Sequence, residues 1–254
     1  MAQLLGVDSL ADVGTALTLS GAHAFVLKQG EGEAGVSVRA DDVLELSDQT
    51  TGLVDVNEAD TVVGSLDQMV SLRGQDVGNQ VAFADSVSVV VINVGDVRAD
   101  SLSDLSLHIT GTVYATGAQT VSGSLEALLA VSGDTVGGTG DADGVVLLQT
   151  VTYALDAKDD LSVLADSLSA LSGRTAGVVD ASAADTVRGT VGALLALAAD
   201  SVGTGDTDGG VVLKPAVTVQ VLLPADGAMP EGAVAAQALL DVDAVGAFGR
   251  VDAR

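Results

Sequence analysis

The chain has no cysteine and no tryptophan among its 254 residues. Without cysteine there is no disulfide frame, no Cys-type zinc site and no thiol nucleophile. Aromatics amount to 2%, namely Phe25, Phe83, Phe248, Tyr114 and Tyr153. So few rings argue against base-stacking platforms and against the aromatic anchors of typical interfaces. Positive charge is also scarce. Lys plus Arg number 10 against 35 Asp plus Glu, a formal net charge of −25. A nucleic-acid binder needs a basic patch to displace phosphate counterions, so no nucleic-acid partner is expected. No apolar run reaches the ~18 residues of a membrane-spanning helix, so no membrane insertion is expected. The first residues, MAQLLGVDSLA, have no basic region and no long apolar stretch, and do not read as a secretory signal.

What is present is apolar and acidic at once. Mean hydropathy is +0.47 and 48% of residues are hydrophobic, which separates this chain from disordered acidic tails. The acids are 29 Asp against 6 Glu. Asp prefers turns, caps and cation ligation, whereas Glu is the better helix former. The skew therefore favours many turns and bound cations. A general acidic bias, as in organisms living in high salt, gives the same skew.

Internal repetition is the strongest signal. Residues 99–131 align without a gap on 165–197, matching Ala99 with Ala165, Asp100 with Asp166, Leu105 with Leu171, Gly111 with Gly177 and Gly123 with Gly189. A third copy runs over 40–72, where Asp55 matches Asp180, Asp60 matches Asp185 and Gly64 matches Gly189. Residues 134–147 echo 200–213. The chain thus divides into an N-terminal cap or arm (1–39), repeats at 40–98, 99–164 and 165–223, and a C-terminal arm (224–254).

Within each repeat the pattern leans to strands. Segments 82–94, 105–117, 144–155 and 210–223 carry Val/Ile-rich or alternating runs. Segment 161–171 alone has a helical stripe of Leu161, Leu164, Leu168 and Leu171, but Gly95 and Arg98 replace the first two in the preceding copy. A long helix is therefore not expected there. SLEALLAV (124–131) reads as a short helix capped by Ser124 and stopped by Gly133, with Ser65 and Thr190 at the same cap position. The expected fold is mainly β with short helices, in a solenoid-like repeat that stacks small side chains. The alternative is a set of tandem small β-sandwich modules.

The sharpest chemical feature is G-D-x-D-G, at Gly140–Gly144 and again at Gly205–Gly209. Alternate carboxylates in a tight glycine-rich loop suit a hard cation such as Ca2+, which makes Asp141, Asp143, Asp206 and Asp208 the candidate metal ligands. The same sequence also serves as a plain Asp-Gly turn that needs no ion. Asp55/Asp180 and Asp60/Asp185 read as turn or cap residues, with an acidic stripe or second cation site as the alternative. His23 and His108 are the only histidines and neither lies in a catalytic phrase. His108 is expected on an alternating strand, facing solvent beside Ser106 and Thr110. There is no G-x-S-x-G, no H-E-x-x-H and no P-loop, so no catalytic residue and no enzyme activity is assigned.

With these loops and repeats, residues 40–223 resemble the acidic, cysteine-free, Gly/Asp-rich repeat proteins of prokaryotic cell surfaces, RTX-like in style. The RTX nonapeptide recurs in tandem, whereas here one loop occurs per repeat and the first repeat has none. The resemblance implies a self-assembling extracellular structural protein, such as a surface-layer, sheath or filament subunit, with Ca2+ bridging its acidic faces. It also implies a homo-oligomer or polymer. The alternatives are a virion structural protein (tail, fibre or decoration subunit) and an adhesin module.

Overall fold

A computed structural model describes residues 24–26, 36–77, 80–84, 86–93, 95–109, 111–133, 144–156, 162–201, 209–215, 217–222 and 250–253. In chain order, β1 (Phe25–Val26) and β2 (Ser37–Arg39) come first. Then follow α1 (Ala40–Gln49), β3 (Val54–Asp55), β4 (Thr61–Gly64), α2 (Leu66–Val77), β5 (Val81–Ala82), β6 (Ser88–Val91) and β7 (Gly95–Arg98). The next stretch is α3 (Ala99–Ser106), β8 (Thr112–Tyr114), β9 (Ala118–Gly123), α4 (Leu125–Gly133), β10 (Gly144–Val146), β11 (Thr152–Leu155) and β12 (Ser162–Leu164). The last is α5 (Ala165–Ser172), β13 (Val178–Ala181), β14 (Thr186–Gly189), α6 (Val191–Asp200), β15 (Gly210–Leu213) and β16 (Thr218–Val221), with β17 (Arg250–Ala253) after it. Residues 40, 99 and 165, where the sequence repeats begin, are the first residues of α1, α3 and α5.

Among the described residues every strand pair is parallel. The sheet orders are β1-β3-β5, β10-β8-β6-β4-β2, β15-β13-β11-β9-β7 and β12-β14-β16-β17. Each strand therefore pairs with the matching strand of the next coil of chain. Burial alternates along the strands, so one side of each sheet faces inward. The register stacks like on like. In one column Val38 lies beside Val62, Val62 beside Val89, Val89 beside Val113 and Val113 beside Val145. A second column runs Val97, Val121, Tyr153, Val179, Val211. Burying each valine contributes about 1.5–3 kcal/mol, and the small side chains let coils stack at strand spacing.

The helices cover these columns and pack on each other in order, α1 against α2 through to α5 against α6. The recurring glycine of T-V-x-G explains how closely they sit. A Cβ built on Gly64 would lie 2.5 Å from Ala40 Cβ, and one on Gly123 or Gly189 would lie 3.0 Å from Ala99 or Ala165 Cβ. Those three alanines open α1, α3 and α5 and are fully buried. Ser65, Ser124 and Thr190 cap the partner helices, their hydroxyls accepting from the amides of Gln68, Ala127 and Ala193. At α2 the Gln68 amide oxygen also accepts from Ser65 N, completing a capping box.

The expectation of a mainly β repeat, and with it that of tandem β-sandwich modules, is overturned. Of the described residues 34% are helical and 36% lie in strands, in the alternation of an α/β-type fold. The physical reason is parallel pairing, which needs a crossover between successive strands of a sheet. The eight residues of A-D-S-L-S-x-L-S supply it, with Leu102 and Leu105, and again Leu168 and Leu171, on one buried face. As Gly95 and Arg98 suggested, the stretch before Ala165 is strand in both copies, over 95–98 and 162–164, but a short helix starts at Ala165. The strand expected over 105–117 likewise begins only at Thr112.

Candidate functional site

The four candidate metal ligands, Asp141, Asp143, Asp206 and Asp208, lie outside the described residues, as does His23. Among the described residues no group of three or more His, Asp or Glu side chains is placed to hold a metal ion. After the second loop, Gly209 and Gly210 carry φ of +89° and +94°, a conformation that favours glycine at the entry to β15.

The other recurring acids are held by backbone amides or, for Asp185, by a lysine. Asp55 Oδ1 accepts from Asn57 N and Asp180 Oδ1 from Ser182 N, both at 3.0 Å, closing the same turn in two repeats. Asp60 accepts from Val36 N at 3.0 Å, and Asp185 pairs with Lys214. Asp41 and Asp100 hold equivalent places at the start of α1 and α3. Hydrogen bonds from Arg39 and Arg98 keep their carboxyls below the usual range. Arg98 reaches further, to Asp156 at 2.7 Å, and so ties β7 to the end of β11.

One cleft stands out, with a volume of about 110 Å³, between α2, α3 and the 83–87 connection. Val62 and Val89 line it from the strands, Met69 and Leu72 from α2, and Leu105 and Ile109 from α3 and beyond. Arg73 and His108 supply its polar groups. His108 is not on a strand, as the alternation suggested. It follows α3, where Nδ1 lies 2.7 Å from the Asp104 carbonyl and Nε2 lies 2.8 Å from Arg73 Nη2. Guanidinium only donates, so Nε2 accepts and the ring proton sits on Nδ1, donated to Asp104 O. The Arg73 guanidinium also pairs with the Asp104 carboxylate. Its Nε is buried with no hydrogen-bond partner among the described residues. Such an orphan costs about 1–3 kcal/mol. The cleft thus offers apolar contact on most sides and hydrogen-bonding groups on one.

The repeat shows why the cleft exists where it does. Val89 pairs with Val62 as Tyr153 pairs with Val121 in the next repeat. Tyr153 is 1% exposed and burial pushes its phenol pKa up, the charge of Arg174 opposing that rise. Where the second repeat holds a ring, the first holds a valine. The signal was in the sequence, in the alignment of 81–98 with 145–164, but only the strand register says which residues superpose.

Arg73 and His108 correspond to Ser132 and Arg174. There the guanidinium sits on the other partner, with Arg174 Nη1 donating to Ser132 Oγ at 3.0 Å and to Leu129 O at 2.8 Å. The pairing implies a compensated swap. His108→Arg alone sets two guanidiniums face to face, for an expected loss of about 1 kcal/mol. Arg73→Ser added to it recreates the second repeat's contact and recovers most of that loss. Denaturant melts of the two variants check this. A double variant less stable than His108→Arg alone refutes the equivalence.

Fold and cleft together define an α/β-type repeat protein, built of stacked parallel coils whose helices pack against strands of two sheets. Comparison with protein-family models, with curated proteins and with solved structures finds no match. No helix among the described residues is long and apolar enough to cross a membrane.

Proposed function

We propose that the chain is a self-assembling structural protein whose copies add end to end through their sheet edges. The observation that supports this reading is the in-register parallel stack. Among the described residues β1 and β2 pair on one edge only, as does β17 at the other end of the stack, where β15 also carries a single parallel bridge to Ser201. An unpaired parallel edge is a template for another strand, and a repeat whose two ends match makes a head-to-tail contact that need not close. A net charge of −25 per chain opposes such stacking. Cations or high salt offset that repulsion, which agrees with a surface-layer, sheath or filament subunit outside the cell.

Negative-stain electron microscopy of the purified chain, with calcium and with chelator, tests the reading. Ordered filaments or sheets are expected in calcium or high salt, dispersing on chelation or dilution. Val26→Lys puts a charge on the half-exposed edge of β1 and is expected to suppress them. Single particles of one size under every condition overturn the proposal.

A further inference from the structure

We infer that the cleft beside Val89 is a binding site for a small neutral phenol, a single ring carrying one hydroxyl. This site is independent of assembly through the sheet edges. The ligand's shape comes from the protein itself. Tyr153 occupies in the second repeat the place that Val89 leaves in the first, on equivalent strands and in the same register. Most of the surroundings correspond as well, although Phe83 and Ile109 of this cleft stand where the second repeat has Leu147 and Thr175. Val62, Met69, Leu72, Val87 and Leu105 stand where Val121, Leu128, Val131, Val151 and Leu171 stand around the tyrosine's position, and those five are buried. What the first repeat lacks is the tyrosine's ring and hydroxyl; the whole side chain from Cβ outward, as a free molecule, is p-cresol.

Size and polarity agree with that occupant. The volume of about 110 Å³ is smaller than, but of the same order as, the ~150 Å³ apolar cavity that takes up benzene. This cleft is not sealed, so one edge of the ring is free to meet the polar groups. Those groups are at the correct end. In the second repeat the positive charge of Arg174 acts on the tyrosine phenol, and His108 holds the position of Arg174. The Arg73 guanidinium, which lines the cleft, supplies N–H donors for the phenol oxygen. The charge of Arg73 is already matched by Asp104, and the whole chain is strongly acidic. A neutral hydroxyl therefore suits the site and a carboxylate does not.

The experiment titrates p-cresol into the full-length chain, followed by ligand-observed NMR and by thermal melting. Saturable binding and a Tm that rises with p-cresol concentration are expected, because a ligand that binds only the folded state stabilises it. Benzoate at the same concentrations is expected to do neither. Val89→Tyr fills the cleft from within and is expected to abolish binding while raising the unliganded Tm. If that variant does not fold, Val89→Leu fills part of the space and is expected to weaken binding by about tenfold. Absence of saturable p-cresol binding overturns the inference. So does binding that is unchanged in Val89→Tyr or, where that variant fails to fold, in Val89→Leu. Equal binding of benzoate also overturns it.

Discussion

Gly177→Ala is expected to destabilise the chain by about 3 kcal/mol, the upper part of the range for overpacking a tight site. A Cβ there would lie 2.3 Å from Val151 O and 2.6 Å from Thr150 O. Both atoms belong to the backbone of the coil beneath, so no side-chain rotamer relieves the clash. The coils must separate, and the sheet pairs on either side lose their register. Gly111 repeats the geometry one unit earlier, with its Cβ 2.1 Å from Val87 O. Gly111→Ala should cost about as much, and the two losses should add, since the sites share no partner. Gly192→Ala is the control of opposite sign. Nothing lies within 4 Å of its Cβ position inside α6, so the change is expected to stabilise by up to about 1 kcal/mol. Denaturant midpoints of the three variants decide the matter. Wild-type stability in Gly177→Ala would mean that successive coils do not approach as closely as this geometry requires.

Tyr153→Ala is expected to cost about 3–5 kcal/mol, the usual loss for deleting a buried aromatic side chain. It is the largest fully buried side chain among the described residues, and its removal opens in the second repeat a cleft like that of the first. Burial also links this residue to pH. The folded phenol pKa is raised, so the neutral ring's contribution is complete below the unfolded value of about 10 and is lost as pH rises through the folded value. Wild type should therefore lose stability between about pH 9 and pH 11, and Tyr153→Phe should lose less over that interval. Tyr114 is present in both proteins, so the difference belongs to Tyr153. Denaturant midpoints at the two pH values give the test, and equal losses would place the ring in water.

The repeats were legible because they rest on residue identity. Ala99/Ala165, Gly111/Gly177 and Gly123/Gly189 each answer a steric demand that recurs coil after coil, and only a small residue meets it. The helix caps at Ser65, Ser124 and Thr190 were legible for a local reason, since a hydroxyl three residues before an orphan amide needs no distant partner. The helices α3 and α5 were missed. Eight residues with two leucines on one face make a weak periodic signal, and the apolar runs on either side read as strand. His108 was misplaced through the same error. The cleft was invisible, because it is the lack of a ring at Val89, and a lack has meaning only against Tyr153 in the same register.

Taken alone, the sequence determined the internal repetition of 40–72, 99–131 and 165–197, the net acidic charge, the absence of thiol chemistry and the small-residue character of the interior. These follow from composition and from which residues recur. The tertiary structure decided that the strands pair in parallel, that helices make the crossings, and that the four sheets are shared between repeats rather than closed within them. Pairing direction depends on the path between strands, and a strand's own residues do not carry it. The tertiary structure also decided which valine faces which tyrosine one repeat on, because register is set by the stacking of whole coils and not by any one segment.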